Sequence, residues 1–303
     1  MAPLHLTHFT DPGCPWAWSA SPALAVLRWR YGNQLAWRHV MIGLTEHGSE
    51  YERRGYTATQ MALGYRSFRR RGMPFATTPR ERVHGTGPMC RVVVATRRLA
   101  PESEWAVLRA LQFAQFTTAL PLEETDALRE AIAWVPGIDA DAIVDAAFEP
   151  ETEEAYQADR REARMAAGGA TEFQGKAATT PDGEVRYTAP SVIFDTEDGK
   201  RLEVGGFQPV EAYDVAIANL DRSLERRAPA DDAAEVLEAF PDGLTTAEVA
   251  AIMAPSNTQL DFDAAEDALI HAVAGGEAAR LPFGQDALWT HVTHVPAELL
   301  HAA

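Results

Sequence analysis

The chain of 303 residues is 46% hydrophobic and 23% charged, a composition typical of a soluble globular protein and not of a disordered or fibrous one. No stretch approaches the roughly 18 consecutive apolar residues of a membrane helix, so no membrane partner is expected. The N-terminus has neither the basic start nor the apolar run of a signal peptide, which predicts a cytoplasmic protein. The nine histidines show no metal-binding spacing, and no metal is expected.

The net charge of -17 is distributed unevenly along the chain. Residues 228–303 contain 13 acidic residues and one basic residue, Arg280, whereas residues 1–227 contain 31 acidic and 26 basic residues. This asymmetry predicts a separate acidic C-terminal domain. Because nucleic-acid binding depends on positive charge that neutralises phosphates, nucleic acid is not expected as a partner.

The N-terminal 42 residues predict a βαβ unit. Residues 3–10 alternate between the two faces of a strand, and an Asp-Pro-Gly turn follows. Pro15 favours the first position of a helix, which should extend to about residue 31 with a break near Pro22. Residues 34–42 predict the second strand.

A helical block and then further strands are predicted for the rest of residues 1–227. Residues 45–169 have helical apolar spacing, and no strand-like alternation interrupts them. Strands are expected at residues 191–196 and 201–204, joined by an Asp-Gly hairpin turn, before a last helix over residues 210–226. The predicted order is therefore βαβ, helical block, ββα.

Residues 228–303 predict a small C-terminal domain of three helices and a hairpin. Thr245 and Glu248 form a capping box for the second of these helices. This order is that of a winged helix, although any small helical appendage could share it. The domain is also a candidate surface for homodimerisation. The helices are expected at 233–240, 247–253 and 263–274, and the hairpin strands at 279–283 and 287–292.

Cys14 and Cys90 are too few cysteines for a disulfide framework in a chain of this length. Cys14 precedes Pro15 and therefore lies at the start of the first helix, where unpaired N–H groups and the helix dipole favour a thiolate. The sequence predicts a lowered thiol pKa and a nucleophilic Cys14. The alternative is an inert, buried cysteine.

Two motifs stand at residues 11–18, Asp-Pro-Gly-Cys-Pro-Trp-Ala-Trp, and at residues 188–194, Thr-Ala-Pro-Ser-Val-Ile-Phe. The first resembles the Asp-Pro-x-Cys-Pro-Trp-Cys-Tyr/Trp active site of the DsbA-like thioredoxin superfamily, in particular of its FrnE-like and mycothiol-linked branch, and the second is similar to that family's cis-proline loop. The resemblance covers about residues 4–225 and implies a thioredoxin fold with a helical insertion at about residues 45–180. It also implies a cis Ala189–Pro190 bond beside the thiol, catalytic roles for Cys14 and Pro190, and substrate contacts from Pro15, Trp16 and Ala189.

Ala17 stands where the resembled family has its second cysteine, so a dithiol cycle within the motif is impossible. Three functions remain open. Cys14 could form mixed disulfides with a low-molecular-weight thiol (mycothiol or glutathione) or with a protein. It could instead activate a cofactor thiol, as a serine does in the related kappa-class glutathione transferases and hydroxychromene-carboxylate isomerases. The chain could also be a non-catalytic interaction module.

Cys90 and a run of arginines are further candidates. Cys90 begins a helix of the inserted block, which covers the active site in related folds. It could resolve a sulfenic acid or mixed disulfide on Cys14, or it could be a small residue of the helical core. The arginine run could hold the carboxylates of a thiol cofactor, or it could be a solvated helix face. It comprises Arg66, Arg69, Arg70, Arg71, Arg80 and Arg82.

Overall fold

A computed structural model describes residues 3–295. Its strands are Leu4–Thr10 (β1), Leu35–Met41 (β2), Ala177–Thr179 (β3), Val185–Tyr187 (β4), Ser191–Asp195 (β5), Arg201–Gly205 (β6), Ala278–Phe283 (β7) and Asp286–His291 (β8). The central sheet has the order β2-β1-β5-β6. β1 is parallel to β2 and antiparallel to β5, and β5 is antiparallel to β6.

The helices surround this sheet and form most of the insertion between β2 and β5. They are Pro15–Ser19 (α1), Ser21–Tyr31 (α2), Gly48–Arg53 (α3), Ala58–Phe68 (α4), Gly87–Leu99 (α5), Glu104–Thr117 (α6), Thr125–Ile132 (α7), Ala140–Ala146 (α8), Pro150–Ala163 (α9), Ala170–Phe173 (α10), Val210–Leu220 (α11), Ala233–Glu238 (α12), Thr246–Met253 (α13) and Phe262–Ala274 (α14). Not one of these described helices is both long enough and apolar enough to cross a bilayer.

The predicted break in the first helix is confirmed. Ala20 separates α1 from α2, because Pro22 has no N–H to continue the hydrogen-bond ladder from α1. The end of α2 is also at the expected residue. Gly32 follows it with φ of 52°, a left-handed conformation that glycine adopts without a steric penalty.

The insertion contains one feature that the sequence did not predict. The short strands β3 and β4 form an antiparallel hairpin just before β5. Each strand has three residues, too few to show a clear alternation, although Asp182-Gly183 between them is a turn signal. This hairpin lies beside Cys14, because Tyr187 of β4 belongs to the same buried cluster as Cys14.

The segment predicted as a C-terminal domain follows α11, which ends at Leu220, earlier than the predicted helix over residues 210–226; its separateness as a domain stays a prediction. Three helices, α12 to α14, precede the β7–β8 hairpin, and the predicted capping box of Thr245 and Glu248 is present. The identity of this domain as a winged helix stays a prediction. One of its apolar surfaces packs against α2, where Val26 and Trp29 share a buried cluster with Ala250.

Candidate active site

Cys14 is the N-cap residue of α1, so its predicted position at the helix start is confirmed. Asp11 organises the turn between β1 and this helix. Its side chain accepts a hydrogen bond from the Gly13 N–H at 2.8 Å, and its carbonyl oxygen accepts one from the Cys14 N–H at 3.1 Å. Pro15 occupies the first helical position, where an N–H would have no helical acceptor.

The thiol of Cys14 faces the loop that precedes β5. Its Sγ donates a hydrogen bond to the carbonyl oxygen of Ala189 at 3.1 Å, and the Ala189–Pro190 peptide bond is cis. Pairing of β5 with β1 begins at Ser191, after the proline that cannot donate to the ladder. Two motifs separated by 175 residues therefore meet at one sulfur atom.

Burial controls the protonation of Cys14. Only 6% of the residue is exposed, and this desolvation raises the pKa of its thiol to about 12. The N–H groups of Ala17 and Trp16 favour the thiolate, as the helix start predicts, but they do not offset the burial. The prediction of a lowered pKa is therefore wrong, because it considered the helix start without the segments that cover it. At neutral pH this thiol is a protonated hydrogen-bond donor.

Asp11 links Cys14 to the second cysteine. Its buried Oδ2 accepts hydrogen bonds from the Leu44 N–H and the Thr86 hydroxyl, both at 2.9 Å, and from the Cys90 thiol at 3.6 Å. Burial raises the pKa of Asp11 although these donors favour its carboxylate. Cys90 is fully buried in the core of the insertion, and this burial raises the pKa of its thiol well above the ordinary value.

Two polar side chains near the thiol were not predicted from the sequence. Arg186, in β4, carries a positive charge that favours the Cys14 thiolate, although burial lowers the pKa of the arginine itself. Tyr51, in α3, is a phenol whose pKa is raised first by burial and further by the charge of Asp11. The sequence signal that could have placed Arg186 near Cys14 is its position three residues before Ala189, in the loop that contacts the thiol.

Trp16, two residues after Cys14 in α1, forms an exposed aromatic surface. It is 41% exposed, and its ring centroid lies 4.9 Å from that of Phe68 and 5.6 Å from that of Phe207. The guanidinium of Arg71 lies over the same ring, 4.6 Å from its centroid. These contacts join α1, the end of α4 and the turn before α11 into one surface.

The arginine run does not form a single site. Arg69 donates to a main-chain carbonyl, and Arg80 donates to carbonyls at the end of α6. Arg82 pairs with Glu124, with 2.9 Å between nitrogen and oxygen. Arg71 is the member of the run that contacts Trp16. Within residues 3–295, no group of three or more His, Cys, Asp or Glu side chains is arranged to hold a metal ion.

Neither a protein-family model nor a curated protein matches the sequence. Solved structures do match. A candidate protein disulfide isomerase from Nitrosomonas europaea superposes with a TM-score of 0.55 and 18% identity, over 72% of this chain and 97% of that chain. A candidate DsbA oxidoreductase from Streptomyces coelicolor superposes with a TM-score of 0.53 and 18% identity, over 75% and 93% of the two chains.

The chain has a DsbA-like thioredoxin fold. The predicted fold class, an α/β thioredoxin fold enlarged by a helical insertion, is therefore confirmed. The proposed relation to the FrnE-like and mycothiol-linked branch stays a prediction, since similarity at 18% identity shows the fold alone.

Proposed function

We propose that the chain is a monothiol thiol–disulfide oxidoreductase or thiol transferase in which Cys14 is the nucleophile. The observation that carries this proposal is the position of the Cys14 Sγ at the first turn of α1, 3.1 Å from the carbonyl oxygen that precedes Pro190. The similar structures are described as a disulfide isomerase and a DsbA oxidoreductase, which supports the same class of chemistry.

The proposed reaction begins with a disulfide, RSSR, beside Cys14. The thiolate of Cys14 attacks one sulfur atom, so that the bond between the two sulfur atoms of RSSR breaks and RS⁻ leaves and takes up a proton. Cys14 is then joined to RS in a mixed disulfide. A second thiol, R′SH, attacks that bond as its thiolate and restores Cys14, which gives RSSR′ and RSH in total.

The second thiol is proposed to come from outside the chain. Ala17, at the place of a second motif cysteine, is 3% exposed and packs in the same buried cluster as Cys14. Cys90 is the remaining thiol, but its sulfur is fully buried and donates to Asp11. A low-molecular-weight thiol such as glutathione or mycothiol has the small size that access to Cys14, which is 6% exposed, requires.

One observation favours a second candidate function, the activation of a cofactor thiol without a covalent bond. A cysteine whose pKa is raised to about 12 by burial is a hydrogen-bond donor at neutral pH. As a donor, it would stabilise the thiolate of a bound cofactor in place of attacking a disulfide. Activity that survives Cys14→Ser would support this second function, because a serine hydroxyl also donates.

Alkylation of Cys14 is expected to accelerate about tenfold per pH unit between about pH 6 and about pH 9, without a plateau. The reason is that its pKa of about 12 lies above this whole range, so the reactive thiolate fraction keeps rising with pH. The measurement is the rate of iodoacetamide labelling of the Cys90→Ser variant, followed by intact mass. The same variant in denaturant is the control, and its labelling rate should level off near an ordinary thiol pKa. A plateau of the labelling rate below about pH 8 in the folded protein contradicts the prediction.

Ala17→Cys is expected to shorten the lifetime of the mixed disulfide on Cys14 by at least about tenfold. The new thiol would restore the two-residue spacing of the dithiol motif and would attack the mixed disulfide from within the molecule. The measurement is the decay of the glutathione adduct by mass spectrometry. Ala17→Ser is the matched control, since it adds an atom of similar bonding without a thiol, and equal lifetimes in the two variants would count against the monothiol proposal.

A further inference from the structure

Arg71 lies over three aromatic rings, one of which is that of Trp16, two residues after Cys14. Its guanidinium carbon is 4.6 Å from the ring centroid of Trp16 and 5.5 Å from those of Phe68 and Phe207. Such stacking holds the planar group in one orientation and shields one of its faces from water. The cation is therefore positioned before any ligand binds.

The guanidinium of Arg71 has no hydrogen bond or ion pair with any residue in the described range 3–295. Arg30 provides a contrast within the same groove, because its guanidinium is paired with Asp214. The N–H donors of Arg71 are thus free for a group from outside the chain, while those of Arg30 are already occupied.

A cavity of about 330 Å³ opens beside this cation. It lies between the break in the first helix, the turn before α11 and the end of α13. Arg71 and Phe207 contribute to its wall, together with apolar side chains such as Pro22, Val26 and Leu260. The wall also includes Glu211, whose carboxylate accepts a hydrogen bond from the Asn257 N–H at 2.9 Å. Arg71 and Phe207, at the other end of the wall, both contact the ring of Trp16, two residues after Cys14.

We propose that Arg71 binds the carboxylate of the low-molecular-weight thiol or disulfide that reacts at Cys14, and that the cavity receives the rest of that molecule. The inference rests on the proposed function and specifies its substrate class as carboxylate-bearing thiols. An arginine fork matches the two oxygens of a carboxylate, and the partial shielding by the rings strengthens the attraction. An uncharged thiol of similar size gains nothing from this contact, so the site selects by charge.

The kinetic test compares two disulfides as probes, anionic glutathione disulfide and uncharged 2-hydroxyethyl disulfide. We expect Arg71→Gln to lower the ratio of their rates of adduct formation at Cys14 by about fivefold, and Arg71→Lys to restore part of it. Arg70→Gln is the matched control, because Arg70 is an exposed neighbour and its loss changes the net charge by the same amount. A ratio that is unchanged in Arg71→Gln, or that falls equally in both Gln variants, overturns the proposal.

A binding measurement keeps this proposal separate from the proposed function. S-methylglutathione carries the carboxylates without a reactive thiol, and its affinity for the Cys14→Ser variant is measured by calorimetry. We expect an additional Arg71→Gln change to weaken this binding about fivefold, and an additional Arg70→Gln change to leave it within about twofold. If wild type forms no adduct but the affinity for S-methylglutathione depends on Arg71, the proposed function fails and the carboxylate site stands. If that affinity is the same with and without Arg71, or if there is no binding, the carboxylate site is overturned.

Discussion

Cys14→Ser is expected to abolish formation of a mixed disulfide with glutathione disulfide, whereas Cys90→Ser is expected to form it at the wild-type level. Cys14 is the thiol at the helix start, next to the exposed Trp16, and Cys90 is fully buried with its sulfur against Asp11. A serine hydroxyl cannot form a disulfide, so the effect of the first change is a complete loss. The measurement is the intact mass of each folded variant after incubation with the disulfide.

Each of the two variants lacks one thiol, so the comparison shows directly whether Cys14 or Cys90 forms the adduct. When unfolded, each variant should react with a thiol reagent at one site, which shows that its remaining cysteine is present and reduced. An adduct that persists in Cys14→Ser, or one that disappears in Cys90→Ser, would contradict the assignment of Cys14 as the nucleophile. Accumulation of a Cys14–Cys90 disulfide in wild type would instead give Cys90 the role of resolving thiol.

Glu248→Gln is expected to lower the free energy of unfolding by about 3–5 kcal/mol. The side chain of Glu248 has no exposed surface and accepts hydrogen bonds from Arg109 at 2.9 Å and from the Ser21 hydroxyl at 2.7 Å. Burial disfavours this carboxylate, but the Arg109 guanidinium holds its pKa below the usual value. Removal of the negative charge leaves the buried Arg109 without its hydrogen-bonded counter-charge. Denaturant unfolding followed by circular dichroism measures the loss.

Glu235→Gln provides the matched control within the same domain. Glu235 pairs with Arg227 at the surface, where both side chains are about half exposed. An exposed ion pair of this kind contributes at most about 1 kcal/mol, so the control should unfold close to wild type. Equal losses in the two variants would show that the buried pair has no special energetic role. A separate early transition in Glu248→Gln would show that the C-terminal domain unfolds by itself.

The ion pair of Arg109 and Glu248 connects the C-terminal segment to the elements around the site. Arg109 lies in α6, Glu248 in α13 and Ser21 at the first residue of α2. Trp18 of α1 belongs to a buried cluster that also includes Ala247 and Leu288 of the C-terminal domain. The acidic domain is therefore part of the packing that holds α1, and through it Cys14.

The local features of the candidate site follow from residues adjacent in the sequence. Pro15 and the Asp-Pro-Gly turn predict a helix start at Cys14, because these residues have strong backbone preferences that few tertiary contacts can override. The Thr245–Glu248 capping box was likewise predictable, since its hydrogen bonds join residues three positions apart. Ala17 excludes a dithiol cycle within the motif whatever the fold.

The chemistry around the thiol depends instead on how distant segments pack. The raised pKa of Cys14 results from burial by distant segments, and desolvation there outweighs the effect of the helix start that the sequence predicts. The proximity of Arg186 to Cys14 and of Arg71 to Trp16 depends in the same way on how remote elements pack. A helix start is a property of adjacent residues, whereas the dielectric environment and the charges around a sulfur atom are properties of everything that folds over it.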